Sequence, residues 1–361
     1  MTAANSTGTP WWSWTWPVLA LVVLGVHTIL SPSVPLAAAE AFALVATVFA
    51  AVYHAEVVAH RVGEPFGTLV LALAVTIIEV ALVVSMMITG GPETVGLARD
   101  TVFAAVMIVC NGIVGICLLA GSIRHREQGF QFQGAQAALS VLIALTTLTL
   151  IFPNVTSTSA GPTFSSSQLV FAAVVSLILY GSFLFVQTVR HRDFFLPAAG
   201  GEEAHALPPT NIIALVSAGL LLVSLVAVVA LAKALTPTLE RGIAAVGAPR
   251  TVVGIAIAGL VLLPEGLASY RAATANRLQT SMNLALGSAL ATIGLTIPAV
   301  AGVSMLLHRP LTLGLDAKEE LLLAVTLIVS LLTVATGRTT VLQGIVHLVL
   351  FAVFLFFAVV P

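Results

Sequence analysis

The sequence predicts an all-α integral membrane protein of about 11 transmembrane helices, one N-terminal helix followed by two inverted five-helix repeats. Three observations carry that expectation. Of the 361 residues, 59% are hydrophobic and only 8% charged, whereas a soluble domain carries about a quarter charged residues. Apolar runs of about eighteen or more residues recur from Leu19 to the C-terminus, each long enough to cross ~30 Å of hydrocarbon as a helix. A polar break from His191 to Asn211, with Gly200, Gly201, Glu202, Glu203 and the Pro208–Pro209 pair, divides the later spans into two sets.

In order, the expected spans are 17–31, 36–59, 66–89, 99–121, 135–152 and 168–190, then 211–233, 250–270, 279–303, 319–336 and 340–360. This gives a tail and extra helix over 1–35, a first repeat over 36–190, a cytoplasmic linker over 191–210 and a second repeat over 211–361. Five is an odd number of crossings, so the two halves must traverse the membrane in opposite directions. Transporters built this way place their substrate site near the bilayer midplane, between the repeats.

Orientation follows from Lys and Arg near the span ends. With the N-terminus inside, inner loops hold Arg61, Arg124, Arg126, Arg190, Arg192, Arg271, Arg277 and Arg338, and outer loops hold Arg99, Lys233, Arg241, Arg250, Arg309 and Lys318. The excess favours a cytoplasmic N-terminus and an outside C-terminus. No Lys or Arg precedes the first apolar run and no small-residue cleavage site follows it, so no cleaved signal peptide is expected. Trp11, Trp12, Trp14 and Trp16 form an interfacial aromatic belt. Cys110 and Cys117 are ~10 Å apart along one helix, too far for a disulfide, and read as packing residues.

The charges nearly cancel, with 14 Lys plus Arg against 15 Asp plus Glu, which excludes a nucleic-acid partner. Most carboxylates fall near span ends, including Glu40, Glu64, Glu93, Asp100, Glu127, Glu240 and Asp316. Glu79 and Glu265 do not. Each lies about thirteen residues into the second span of its half, where an ionised carboxylate costs several kcal/mol unless paired or hydrated. No Lys or Arg lies near a span centre to neutralise them, leaving a mobile cation or a proton as counter-charge. Desolvation favours the protonated form, so protons can compete with a cation near neutral pH.

Weaker candidates surround this pair. Pro264 removes a backbone donor beside Glu265 and strains the preceding turn, which either kinks the helix or frees carbonyls for a hard cation. The stretch from Gln279 to Pro298 is rich in small and hydroxyl residues, and Asn283, Ser288 and Thr292 offer oxygens there as readily as they offer close packing. Asn111, between Cys110 and Gly112, occupies the corresponding span of the first half and could tie helices together or ligate. Glu56 and His60 share a helical face with His54 nearby, the pattern of a solvated juxtamembrane face or a pH sensor, and not the His-Glu-x-x-His of a metalloprotease. His347 has no evident partner in sequence and reads as structural.

The segment from Ala59 to Val80, containing His60-Arg61-Val62-Gly63-Glu64-Pro65-Phe66-Gly67 and Thr76-Ile77-Ile78-Glu79, resembles the ChaA-type bacterial sodium-potassium/proton and calcium/proton antiporters. Leu262-Leu263-Pro264-Glu265-Gly266-Leu267-Ala268, together with Ala275 to Pro298, resembles that family's second repeat. The group belongs to the calcium:cation antiporter superfamily, and the resemblance implies that one acidic residue from each repeat, here Glu79 and Glu265, binds the cation and exchanges protons. Eukaryotic vacuolar calcium/proton exchangers carry Gly-Asn-Ala-x-Glu in each repeat. Here Val75-Thr76-Ile77-Ile78 precedes Glu79 and Leu262-Leu263-Pro264 precedes Glu265, so the backbone-opening glycine and the asparagine are missing and the cation stays open among Ca2+, Na+ and K+.

The expectation is therefore a secondary antiporter of the bacterial inner membrane. It would exchange Ca2+, Na+ or K+ for H+ by alternating access at Glu79 and Glu265, with Asn111, Asn283, Ser288 and Thr292 as further candidate ligands. No resident cofactor and no ATP-binding loop are expected. Two other classes would read the same features differently: a passive cation channel, which needs no proton coupling, and an intramembrane metalloenzyme with a metal on His54, Glu56 and His60.

Overall fold

The computed structural model describes residues 9–30, 33–63, 66–89, 95–196, 209–245, 247, 249 and 251–360. Most of the expected linker, with Glu64, Glu93 and Arg250, lies outside the described residues. The chain is helical almost throughout: α1 Trp11–Ile29, α2 Val34–Val62, α3 Phe66–Thr89, α4 Leu97–Met107, α5 Val114–His125, α6 Phe132–Thr146, α7 Phe152–Val155, α8 Ser166–Phe185, α9 Asn211–Ala245, α10 Thr251–Val261, α11 Leu263–Thr274, α12 Leu278–Leu307, α13 Ala317–Ala335 and α14 Val341–Val359. π-helical turns join α4 to α5 at Ile108–Ile113 and α6 to α7 at Thr147–Ile151, and a third extends α8 over Val186–Arg190.

Every expected span falls on a helix. Among the described residues, eight helical runs are long and apolar enough to cross a membrane, or nine if α10 and α11, bent by 55°, count as one. The apolar part of α3 is shorter, and α13 carries Lys318, Glu319 and Glu320 in its first turn. Boundaries shift where helix continues past an apolar run: Lys233 and Arg241, expected in an outer loop, sit on α9, and the tryptophans lie inside α1. Starts of α8, α13 and α14 are fixed by reciprocal capping boxes, Ser165 with Gln168, Asp316 with Glu319 and Thr340 with Gln343.

Packing divides the chain into two units, each drawing helices from both sequence halves. The first takes α1, α2, most of α3 and most of α9. Within it α1 runs antiparallel along α2: the Ser13 carbonyl bonds His54 Nε2 at 3.0 Å, Trp12 meets Tyr53, Trp16 meets Phe42, and His27 Nδ1 bonds Glu40 Oε1 at 2.6 Å. Glu40, expected near a span end, is buried in the second turn of α2, and His27 supplies the partner its burial requires.

The second unit is held by two layers of loop contacts. In one, His125 Nε2 meets the Thr274 carbonyl at 2.9 Å, Gln128 donates to the Ala273 carbonyl at 2.8 Å, and β1 (Gln128–Gly129) pairs antiparallel with β2 (Arg338–Thr339). In the other, the Thr312 amide donates to Val95 O at 3.2 Å, the Leu315 amide to Leu150 O at 2.9 Å, and Asn154 donates to Glu320 at 2.7 Å. The run α4–α5 leaves the second layer and ends in the first, whereas its counterpart α12 leaves the first and ends in the second. The run α6–α7 and α13 are opposed in the same way. These corresponding spans therefore traverse the unit in opposite directions, as an inverted repeat requires, and their packing is reciprocal: α14 lies on α5 and α8 lies on α12.

The α5–α14 contact needs glycine. A methyl at Gly344 would stand 2.5 Å from the Leu119 amide nitrogen, against backbone that cannot yield, while one at Gly302 of α12 meets nothing within 4 Å. Gly344→Ala should therefore lower the melting temperature of the purified protein by several degrees, and Gly302→Ala should leave it unchanged or raise it by helix propensity, worth about 1 kcal/mol. Thermal unfolding in detergent checks the contrast.

Candidate cation site

Glu79 belongs to the first unit. It sits ~20 Å from the start of α3 and ~15 Å from its end by helical rise, is 3% exposed, and keeps Oε1 fully shielded. Thr76, one turn earlier on the same helix, is also buried.

Glu265 belongs to the second unit, at the 55° break between α10 and α11. Pro264 does not interrupt a helix there. It occupies the first turn of α11, where a missing N–H costs nothing, and Glu265 follows it in that turn, near the helix N-terminus, a position that favours negative charge. Its Oε2 is fully shielded. The break lets this turn lean on the π-helical segment Ile108–Ile113: a Cβ at Gly266 would lie 3.3 Å from Ile113 Cδ1, and α12 packs against both α11 and the same π turn. Three elements carrying candidate ligands thus meet within one unit.

Axial positions rank those ligands. Measured along the helices from the loop layer of His125 and Thr274, Glu265 lies ~14 Å deep, Ser288 ~15 Å, Asn111 and Thr292 ~21 Å, and Asn283 only ~8 Å. Ser288 is half-buried, and Thr292 is buried. Asn283 is engaged elsewhere: its Nδ2 donates to the Phe195 carbonyl at 2.6 Å and its Oδ1 accepts from Gln279 at 3.0 Å, fastening the 3-10 turn Arg192–Phe195 to the start of α12. Asn111 is fully buried, donates to Thr326 Oγ1 at 2.8 Å and meets His347 Nδ1 at 3.1 Å. His347, which has no evident partner in sequence, also has Nε2 3.0 Å from Thr333 Oγ1 and a hydrogen bond with the Cys110 backbone.

The π turn around Asn111 has no signal in the apolar pattern, although such insertions concentrate at functional positions. His54 is buried against Ser13, while Glu56 and His60 are exposed, so the three do not converge. Among the described residues, no group of three His, Cys, Asp or Glu side chains could hold a metal ion. Cys110 and Cys117 are free and buried.

The oppositely directed helices of the second unit are the architecture of a membrane transporter. The chain belongs to the sodium/calcium exchanger protein family, whose profile matches residues 18–189 and 216–360, and it is a transporter and not an enzyme. It is 49% identical to y4hA of Sinorhizobium fredii, over 99% of this chain and 98% of that one. It is 36% identical to the sodium-potassium/proton antiporter ChaA of Escherichia coli, over 94% and 93%. Of solved structures, YfkE superposes with a TM-score of 0.73 at 14% identity over 97% of this chain and all of that one. The H+/Ca2+ exchanger CAX superposes with a TM-score of 0.71 at 16% identity, over 95% and 86%. At such identities these two share the fold.

The axial ranking separates Ser288 from Asn283. Ser288→Ala should raise the apparent KM for the transported cation several-fold with the maximal rate preserved, and Asn283→Ala should lower thermal stability with KM unchanged. Cation-titrated exchange in vesicles, read beside a melting curve, distinguishes this from a site at the start of α12.

Proposed function

We propose that the protein exchanges Na+, K+ or Ca2+ for protons by alternating access, with Glu79 and Glu265 as the groups that hold either a cation or a proton. The observation that carries this is the setting of Glu265: a carboxylate with one oxygen shielded, in the turn after a helix break that packs on the π-helical segment of Asn111, and at the helix depth of Ser288. Deprotonated, it accepts a cation with hydroxyl and carbonyl oxygens completing the shell, as hard cations prefer. Protonated, it can face hydrocarbon depth at little cost. Glu79 stands at the matching position of the first repeat, and two carboxylates neutralise one divalent ion, two monovalent ions or two protons. The sodium-potassium/proton activity in the name of the E. coli relative supports monovalent substrates, and the fold shared with a H+/Ca2+ exchanger supports Ca2+.

In this reading each of the two repeats, 36–190 and 211–361, joined by a linker at 191–210 and preceded by an extra helix, contributes one of the glutamates. Ser288 and Thr292 serve as direct oxygen donors. Asn111 serves as a ligand whose oxygen is shared with a protein donor, and Asn283 contributes by fixing the start of α12. The protein spans the inner membrane with its N-terminus in the cytoplasm and its C-terminus outside, so a reporter that functions only outside the cytoplasm should be active when fused after Pro361. An inactive reporter there, with activity when it precedes α1, would reverse the topology.

Everted vesicles carrying a pH-sensitive dye, energised and then given Na+, K+ or Ca2+ separately, test the exchange itself. Wild type should release protons on addition of its cation, and Glu79→Gln and Glu265→Gln should each abolish the release. Because the cation needs the deprotonated carboxylates, its apparent KM should rise as pH falls, by up to about tenfold per pH unit for each carboxylate that must lose its proton, at constant maximal rate. Cation flux with no proton movement would make the protein a channel, and normal exchange in both Gln variants would remove the glutamates from the mechanism.

A further inference from the structure

His347 is the fully buried ionisable side chain of the last span, and the proposed mechanism gives it no task. Its hydrogen bonds have one consistent direction. Asn111 uses Nδ2 to donate to Thr326 Oγ1, so its Oδ1 is the atom that meets His347 Nδ1 at 3.1 Å. An amide oxygen only accepts, so Nδ1 carries a proton. The other nitrogen, Nε2, lies 3.0 Å from Thr333 Oγ1, and in a neutral ring it accepts from that hydroxyl. Thr326 Oγ1 in turn lies 3.6 Å from Met107 Sδ. The chain of donors therefore runs Thr333, His347, Asn111, Thr326 and ends on a weak sulfur acceptor. It crosses from α13 to α14 to the π turn and back to α13.

A small cavity adjoins the ring, lined among others by Cys110, Ser330, Thr333 and His347. Ser330 Oγ finds no hydrogen-bond partner there among the described residues. The neutral polar groups Ser330 and Thr333, with the thiol of Cys110, face the imidazole, and no charged side chain lines the space among the described residues.

We propose that His347 is a positioning residue for cation exchange: its imidazole, protonated on Nδ1, fixes the Asn111 amide with its oxygen presented and its nitrogen turned to Thr326. An asparagine amide is nearly symmetric in shape, and only its oxygen can ligate a cation. Without the His347 donor the amide could rotate to present its nitrogen. The assignment rests on the reading of Asn111 as part of the cation site.

Two substitutions divide the imidazole between its nitrogens. In His347→Asn the amide nitrogen falls near the place of Nδ1 and preserves the donor to Asn111, while the space left by Nε2 merges with the cavity, where a water can serve Thr333 and Ser330. In His347→Gln the terminal amide falls near Nε2 and the Nδ1 donor is lost. For the preferred cation in everted vesicles, His347→Asn should keep an apparent KM within about threefold of wild type. His347→Gln should raise it at least about tenfold with a maximal rate within about threefold. Equal KM in both variants, or a fall in maximal rate alone, would overturn the proposal, because a purely structural histidine would change the amount of working protein and not its cation affinity.

Nitrogen NMR of histidine-labelled wild type in lipid nanodiscs provides an arm independent of transport, with the His347 signals identified by their loss in either variant. The expected spectrum has a protonated Nδ1; a bare Nδ1 contradicts the proposal. If Glu79→Gln and Glu265→Gln exchange normally, the reading of the cation site fails by itself, and the nitrogen spectrum still decides how His347 is bonded.

Discussion

A carboxylate at the depth of the hydrocarbon has three ways to exist: protonated, paired with a fixed cation, or paired with a mobile one. The ionised form left alone there costs several kcal/mol. Glu40 is held by a hydrogen bond with His27 at 2.6 Å, a fixed fastening between α1 and α2. Glu265 stands instead at a helix break beside a π turn. Irregular backbone at membrane depth survives where it is enclosed by protein or lines a cavity, because the carbonyls and amides it releases need other partners. Much of the second unit serves to enclose that irregularity: the π turn lies within the run Leu97–His125, the most buried of the apolar spans, and α11, α12 and α14 pack around it.

The inverted repeat gives this enclosure its symmetry. The runs α4–α5 and α12 cross the unit in opposite senses, and each accepts the last helix of the other half, α14 and α8 respectively. Small residues make the contacts possible. Gly112 and Gly115 face Phe351 and Leu348 of α14, and Gly294 faces Tyr180 of α8. With little hydrophobic driving force between helices in lipid, close backbone approach and buried polar ties such as Asn111–Thr326 supply the association. The same ties fix the rotation of the helices that carry Asn111 and Thr326.

Much of this was legible in the sequence because the membrane writes strong rules. Length and apolarity marked the spans, and the scarcity of charge made Glu79 and Glu265 conspicuous; the motifs around them fixed the family. Three features were not legible. The π turn at Asn111 inserts one residue into an unbroken apolar run and leaves hydropathy unchanged. Glu40 looked peripheral because α2 begins two residues before its apolar run and α1 lies against it. His347 showed no partner because Asn111 is 236 positions away, and such pairing follows from tertiary packing, which local pattern does not encode. Asn283 and Ser288 looked equivalent by composition, yet helix depth separates them, since Asn283 is within two turns of the helix start and is held by the carbonyl of Phe195.

The central claim is that a buried carboxylate gives up a proton when it takes a cation. The most direct measurement is proton release by purified protein in weakly buffered detergent solution as Na+, K+ or Ca2+ is added, with bound cation counted in parallel. The account predicts that the bound ion expels protons in fixed proportion, most strongly at the acidic end of the pH range, where the carboxylates start protonated. Stoichiometric cation binding with no proton released at any pH would contradict it.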